Sequence, residues 1–143
     1  MGIQFYIYPP DGGKGTFACG FSYSNFSGIC AAVTERAAAQ RLPVPPAWAA
    51  LDDQVGRECV GALDTAGCRT ACEFLRKLLP EEPYDSADDV EDWDNPPKPL
   101  EYYQNKPGPR ARTREEEYND GAIEALANAC EKAAELGGSL HGG

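Results

Sequence analysis

Apolar positions recur at two spacings along this chain, and the change from one to the other sets out its elements. Ile3–Tyr8 reads IQFYIY, aromatic and β-branched, and predicts a strand. Pro9-Pro10 stops it, and Asp11–Gly15 supplies the turn residues of a tight connection. In Thr16–Ser24, Phe17, Cys19, Phe21 and Tyr23 fall at period two. That spacing predicts a second strand with its large side chains on one face. The glycines between the strands lack the G-x-x-x-x-G-K-S/T spacing of a phosphate loop, and they join strands instead of opening a helix.

From residue 26 the spacing becomes helical. Phe26, Ile29, Cys30, Val33 and Ala37 share one face of a helix over 26–40, with Asn25 as its cap. Leu42–Pro46 cannot be helical. Ala47–Leu63 then predicts one helix, or two broken near Gly56, with the stripe Trp48, Leu51, Val55, Cys59 and Leu63. Asp64 or Thr65 caps a third helix, 66–79, whose buried face is Cys68, Ala71, Cys72, Leu75, Leu78 and Leu79. The last helix, 115–136 with Thr113 as cap, buries Ile123, Leu126, Ala127, Cys130, Ala133 and Ala134 and ends at Gly137-Gly138. The fold expected is α+β and predominantly helical. It is one domain over 1–143 in which an N-terminal hairpin packs with three to four helices.

Residues 80–112 follow neither period, and a connection of that length is uncommon in a compact domain unless it is functional. A short helix at 86–93, capped by Ser86, is the one element the segment offers. Within it, Glu81–Lys98 holds eight carboxylates against the single cation Lys98, a net −7 of the chain's −10. Tyr84 and Trp93 lie among those carboxylates, whereas a purely solvating acidic run has few aromatics. The sign reverses at Lys106–Arg114.

Charge narrows the function classes. A net −10 disfavours a duplex-binding surface and attachment to anionic lipid, and it suits a basic partner. No apolar run is long enough to span a bilayer, and the first residues lack the basic flank of a signal peptide. A cytoplasmic location is therefore expected, with the six cysteines reduced.

Few residues offer catalytic or metal chemistry. Cys59, Cys68 and Cys72 are the nearest to a metal site, but C-x8-C-x3-C matches no standard zinc spacing, and Cys68 and Cys72 lie in an apolar stripe. Cys30 likewise reads as core. The single histidine, His141, sits in a Gly-rich tail expected to be mobile, which disfavours a Ser-His-Asp or Cys-His arrangement. The acidic run lacks the ligand pattern of an EF-hand. Gly142-Gly143 has the form of the diglycine of a ubiquitin-like modifier, but the chain beyond residue 45 reads as helical and lacks the strands of that fold.

The expected function is a non-catalytic protein-binding module that needs no cofactor. Asp85, Asp88, Asp89, Glu91, Asp92 and Asp94 would steer a basic partner, and Tyr84 and Trp93 would fill its pockets. In size and composition the chain is similar to small acidic bacterial or phage proteins, immunity proteins and inhibitors, that neutralise a toxin, nuclease or defence protein. A small Cys-based metal-binding or enzymatic domain is the alternative, and DNA mimicry is a further one, opposed by the basic run 106–114.

Overall fold

A computed structural model describes residues 2–79 and 114–143. The acidic, Pro-rich loop 80–112, the short helix expected at 86–93, the cap Thr113 and the candidate partner-binding residues from Tyr84 to Asp94 lie outside the described residues. Two compact units divide the chain, Met1–Leu79 with Ala122–Gly143, and Pro80–Gly121. Of the second, only residues 114–121 are described.

The fold is α+β, with four helices and a four-stranded antiparallel sheet among the described residues. The elements are β1 (Gly2–Tyr8), β2 (Thr16–Ser22), α1 (Tyr23–Ala39), α2 (Pro46–Glu58), β3 (Gly61–Leu63), α3 (Thr65–Lys77), α4 (Arg114–Glu135) and β4 (Ser139–Gly142). The strand order is β2-β1-β4-β3, so the first and last strands are central neighbours. No described helix is long and apolar enough to cross a membrane.

The sheet is wider than the expected hairpin. The residues expected to end the second helix instead leave it at Cys59, which adopts a left-handed conformation (φ 59°) while its N–H closes the final turn on Val55. The chain then turns back as β3, with Gly61 and Leu63 buried. Gly56, the expected break, lies inside α2. The Gly-rich tail is also ordered into the fold as β4. Gly137 (φ 68°) and Gly138 close α4 with a Schellman pair, their N–H groups donating to Ala134 and Ala133. The reversal aims Ser139–Gly142 between β1 and β3. Gly143 exchanges two backbone hydrogen bonds with Gln4, both 3.1 Å, so the terminal diglycine is part of the sheet.

A bulge corrects the face expected for β2. Ile3 pairs with Phe21 and Phe5 with Cys19, but Tyr6 pairs with Phe17, which leaves Ala18 as the extra residue. Cys19 and Phe21 thus face the core, and Phe17 emerges on the opposite side, 55% exposed. Tyr23 is already helical, and Ser22 caps α1 by accepting the Asn25 N–H at 3.1 Å, the role expected of Asn25.

One face of the sheet carries the core. Ile3, Phe5, Ile7, Leu63 and Leu140 pack with the apolar faces of all four helices. Those faces follow the helical spacing closely, with Phe74, Ala122 and Ala129 joining the expected sets and Cys59 leaving them for solvent. Two side chains fix the start of α3, and the second of them ties it to the segment before β4. Asp64 caps α3 on the Gly67 N–H at 2.7 Å, and Thr65 Oγ1 donates to Gly138 O at 2.5 Å.

Candidate functional site

Because α1–α4 cover one face of the sheet, the alternate side chains of every strand are turned the other way, and there they are unusually aromatic. Gln4, Tyr6 and Tyr8 project outward from β1, Phe17 from β2, Ser139 and His141 from β4, and Ala62 from β3. Register sets them in a row, with Tyr6 opposite both Phe17 and His141, and His141 opposite Ala62. The Tyr6 and Phe17 rings meet edge-on, centroids 5.7 Å apart at 73°. Tyr8 and His141 do the same at 5.0 Å and 83°. Such pairs add about 0.5–1.5 kcal/mol each beyond simple burial, which holds the rings in place.

Polar contacts fix the rim. The Tyr6 hydroxyl donates to Gln4 Oε1 at 3.0 Å, and Ser139 Oγ lies 2.9 Å from His141 Nε2. Beside Gln4, Gly20 has no side chain, which opens a shallow hollow of about 510 Å³ bounded by Phe17 and Ser22. None of the outward side chains is an acid, a lysine or an arginine. With Phe17 55% and Tyr8 37% exposed, the surface offers ring faces and an amide to an incoming group. It can take a planar or cationic side chain on the rings and a hydrogen-bonding group at Gln4.

The residues singled out from sequence fare differently. The acidic and aromatic set Tyr84–Asp94 lies outside the described residues. Cys59 is exposed at the end of α2, while Cys68 and Cys72 are buried on α3. Among the described residues no group of three or more His, Cys, Asp or Glu side chains is placed to hold a metal ion. Three of the buried thiols, Cys19, Cys30 and Cys130, are pushed towards the protonated form. Burial pushes Cys19 up to about 11. Burial and then the neighbouring Asp52 raise Cys30 further, and a hydrogen bond to Cys68 together with burial raises Cys130. His141 is not on a mobile tail but fixed in β4. It does meet a serine, yet among the described residues no carboxylate orients the imbidazole ring from its other nitrogen, as a triad requires.

Sequence reasoning passed over Gln4, Tyr6, Tyr8, Phe17 and His141. The signal for the first three was the even positions of IQFYIY, which are large where a solvent-facing set is ordinarily polar. Phe17 needed the bulge, and His141 needed β4. In comparisons with protein-family models, curated proteins and solved structures, nothing matches this chain.

Proposed function

We propose that this protein is a non-catalytic protein-binding module whose partner presents a basic surface, and that binding neutralises that partner in the manner of an inhibitor or immunity protein. The observation that carries the reading is the aromatic row Phe17–Tyr6–His141 with Tyr8, held rigid on the solvent side of the sheet. Aromatic patches of this kind mark interaction surfaces more often than they mark chance exposure. Arginine or lysine side chains of the partner lie on the Tyr6 and Tyr8 ring faces, where a cation gains roughly 0.5–2 kcal/mol. The carboxylates of Glu81–Asp94 supply the long-range attraction that raises the encounter rate, and Tyr84 and Trp93 add anchors. Six unpaired cysteines support action in the reducing cytoplasm.

The test uses three proteins: the native chain, a Tyr6→Ala/Tyr8→Ala variant, and an Asp85→Asn/Asp88→Asn/Asp89→Asn/Asp92→Asn variant. A partner captured from host lysate by the native chain is purified and its association followed against salt. The asparagine variant is expected to associate more slowly and with a flatter salt dependence. The alanine variant is expected to dissociate about tenfold faster or more. Rates unchanged in both variants would overturn the proposal.

A further inference from the structure

A second surface has a different chemistry. Between the outer edge of β2 and the Ala122–Glu135 part of α4 runs a groove of about 450 Å³, within the roughly 300–1,000 Å³ range of small-molecule sites. Its origin is the β-bulge. The extra residue, Ala18, sits where a regular strand would have placed a large inward side chain, and α4 presents Ala125 and Ala129 across from it. Three methyl groups leave room above the flank of Ile7. Phe17 and Leu136, both more than half exposed, form the walls.

The charge in the groove is of one sign. Lys132 lines it, and among the described residues no carboxylate pairs with that ammonium. The adjacent acid, Glu131, is engaged by Arg76 Nη2 at 2.5 Å. The same guanidinium donates to Asn128 Oδ1 at 2.9 Å. With its oxygen held by Arg76, the Asn128 amide has its NH2 left to donate, and Asn128 lines the groove beside Lys132. The lining therefore offers an ammonium, an amide donor and the Thr16 side chain, with no acid among its residues.

We infer that this groove binds a free medium-chain aliphatic carboxylate, its head on Lys132 and Asn128 and its chain along Ala18, Ala125 and Ala129. The apolar floor selects a hydrocarbon chain. The lone cation with an oriented amide donor selects an anionic head over a neutral or cationic one, because a charge-assisted hydrogen bond is about twice as strong as a neutral one. The chain's overall negative charge does not defeat this, since charges more than about 8 Å away are largely screened at physiological salt. The groove shares Phe17 with the aromatic row but not Tyr6, Tyr8, His141 or the acidic run, so variants away from Phe17 test the two proposals separately.

The experiment is calorimetric titration of the full chain with hexanoate, octanoate and decanoate, each below its micellar concentration, with amide chemical-shift mapping. Affinity is expected to rise roughly fourfold per added CH2 until the groove is filled. The largest shifts should fall at Ala18, Ala129 and Lys132. Lys132→Met, which keeps an apolar stem, should weaken decanoate about tenfold or more and leave decanol unchanged. Ala125→Phe, at a half-buried position, should block decanoate while the thermal transition persists. Tyr8→Ala, at a position that neither lines the groove nor packs on Phe17, should not alter decanoate binding. Affinity independent of chain length, equal in the native protein and Lys132→Met, or mapping to Tyr6, Tyr8 and His141 would overturn the inference.

Discussion

Phe5 and Gly142 face each other across the central strand pair β1–β4, and the Phe5 ring fills the space that a side chain at 142 would need. A Cβ on Gly142 would stand 2.7 Å from Phe5 Cε1 and 2.9 Å from Ile3 Cδ1. Phe5 is fully buried against Phe26, with ring centroids 5.5 Å apart, so the ring has no free direction in which to yield. Gly142→Ala is therefore expected to lower the unfolding free energy by about 1–3 kcal/mol in urea titrations. Gly143→Ala is the control. Its Cβ would make an ordinary 3.5 Å contact with Val60, and a change within about 0.5 kcal/mol is expected.

The hydroxyl of Thr65 joins the first turn of α3 to the residue that precedes β4. Thr65→Val preserves the shape and removes the donor, leaving the Gly138 carbonyl without it. A loss of about 0.5–1.5 kcal/mol is expected. Hydrogen exchange should locate the effect, with faster exchange at β4 amides than at those of β2.

Cys19 makes stability depend on alkaline pH. Burial raises its folded pKa from 9.0 to about 11, so between those values the unfolded chain releases a proton that the folded chain retains. The stabilisation is complete below pH 9 and is lost as pH rises through about 11. Native protein should lose about 2–3 kcal/mol across that window in excess of the Cys19→Ala variant. Parallel pH profiles for the two proteins would contradict the assignment.

Thiol labelling near neutral pH should distinguish one cysteine from five. Cys59 is exposed, and the other five are buried. Native protein is expected to take up a maleimide rapidly at a single site, one that Cys59→Ser abolishes, and to label at the remaining five only in denaturant. Rapid uptake at two or more sites in the native state would show that the packing of Cys68, Cys72 and Cys130 between α3 and α4 is wrong.

Helix faces were legible because burial on a helix repeats over many residues. Phe26–Ala37, Cys68–Leu78 and Ile123–Ala134 each repeat often enough to outweigh an exception. The short strands gave no such repetition. Gly61-Ala62-Leu63 is three residues with one large side chain, and Ser139–Gly142 is half glycine and serine, so each is a strand only because its neighbours pair with it. The bulge is similar, since one unbroken period of two was read from Phe17 to Tyr23, and the extra residue Ala18 puts Phe17 on the other face. These non-local features built both the aromatic face and the alanine-floored groove, which is why neither surface was visible in the sequence.

The neighbouring positions of β1 and β4 also set an order of assembly. Tyr8 and Ser139 are register partners about 130 positions apart, and β3 reaches the sheet only through β4. The β1–β2 hairpin and α1 can pair as soon as residues 2–39 are made, but β3 and β4, half the sheet, wait for residues 139–142. Until then β1 presents an open edge carrying Phe5 and Ile7, a template for any extended chain nearby. Slow folding follows from so long a sequence separation, and deletion of Ser139–Gly142 should detach β3 from the sheet.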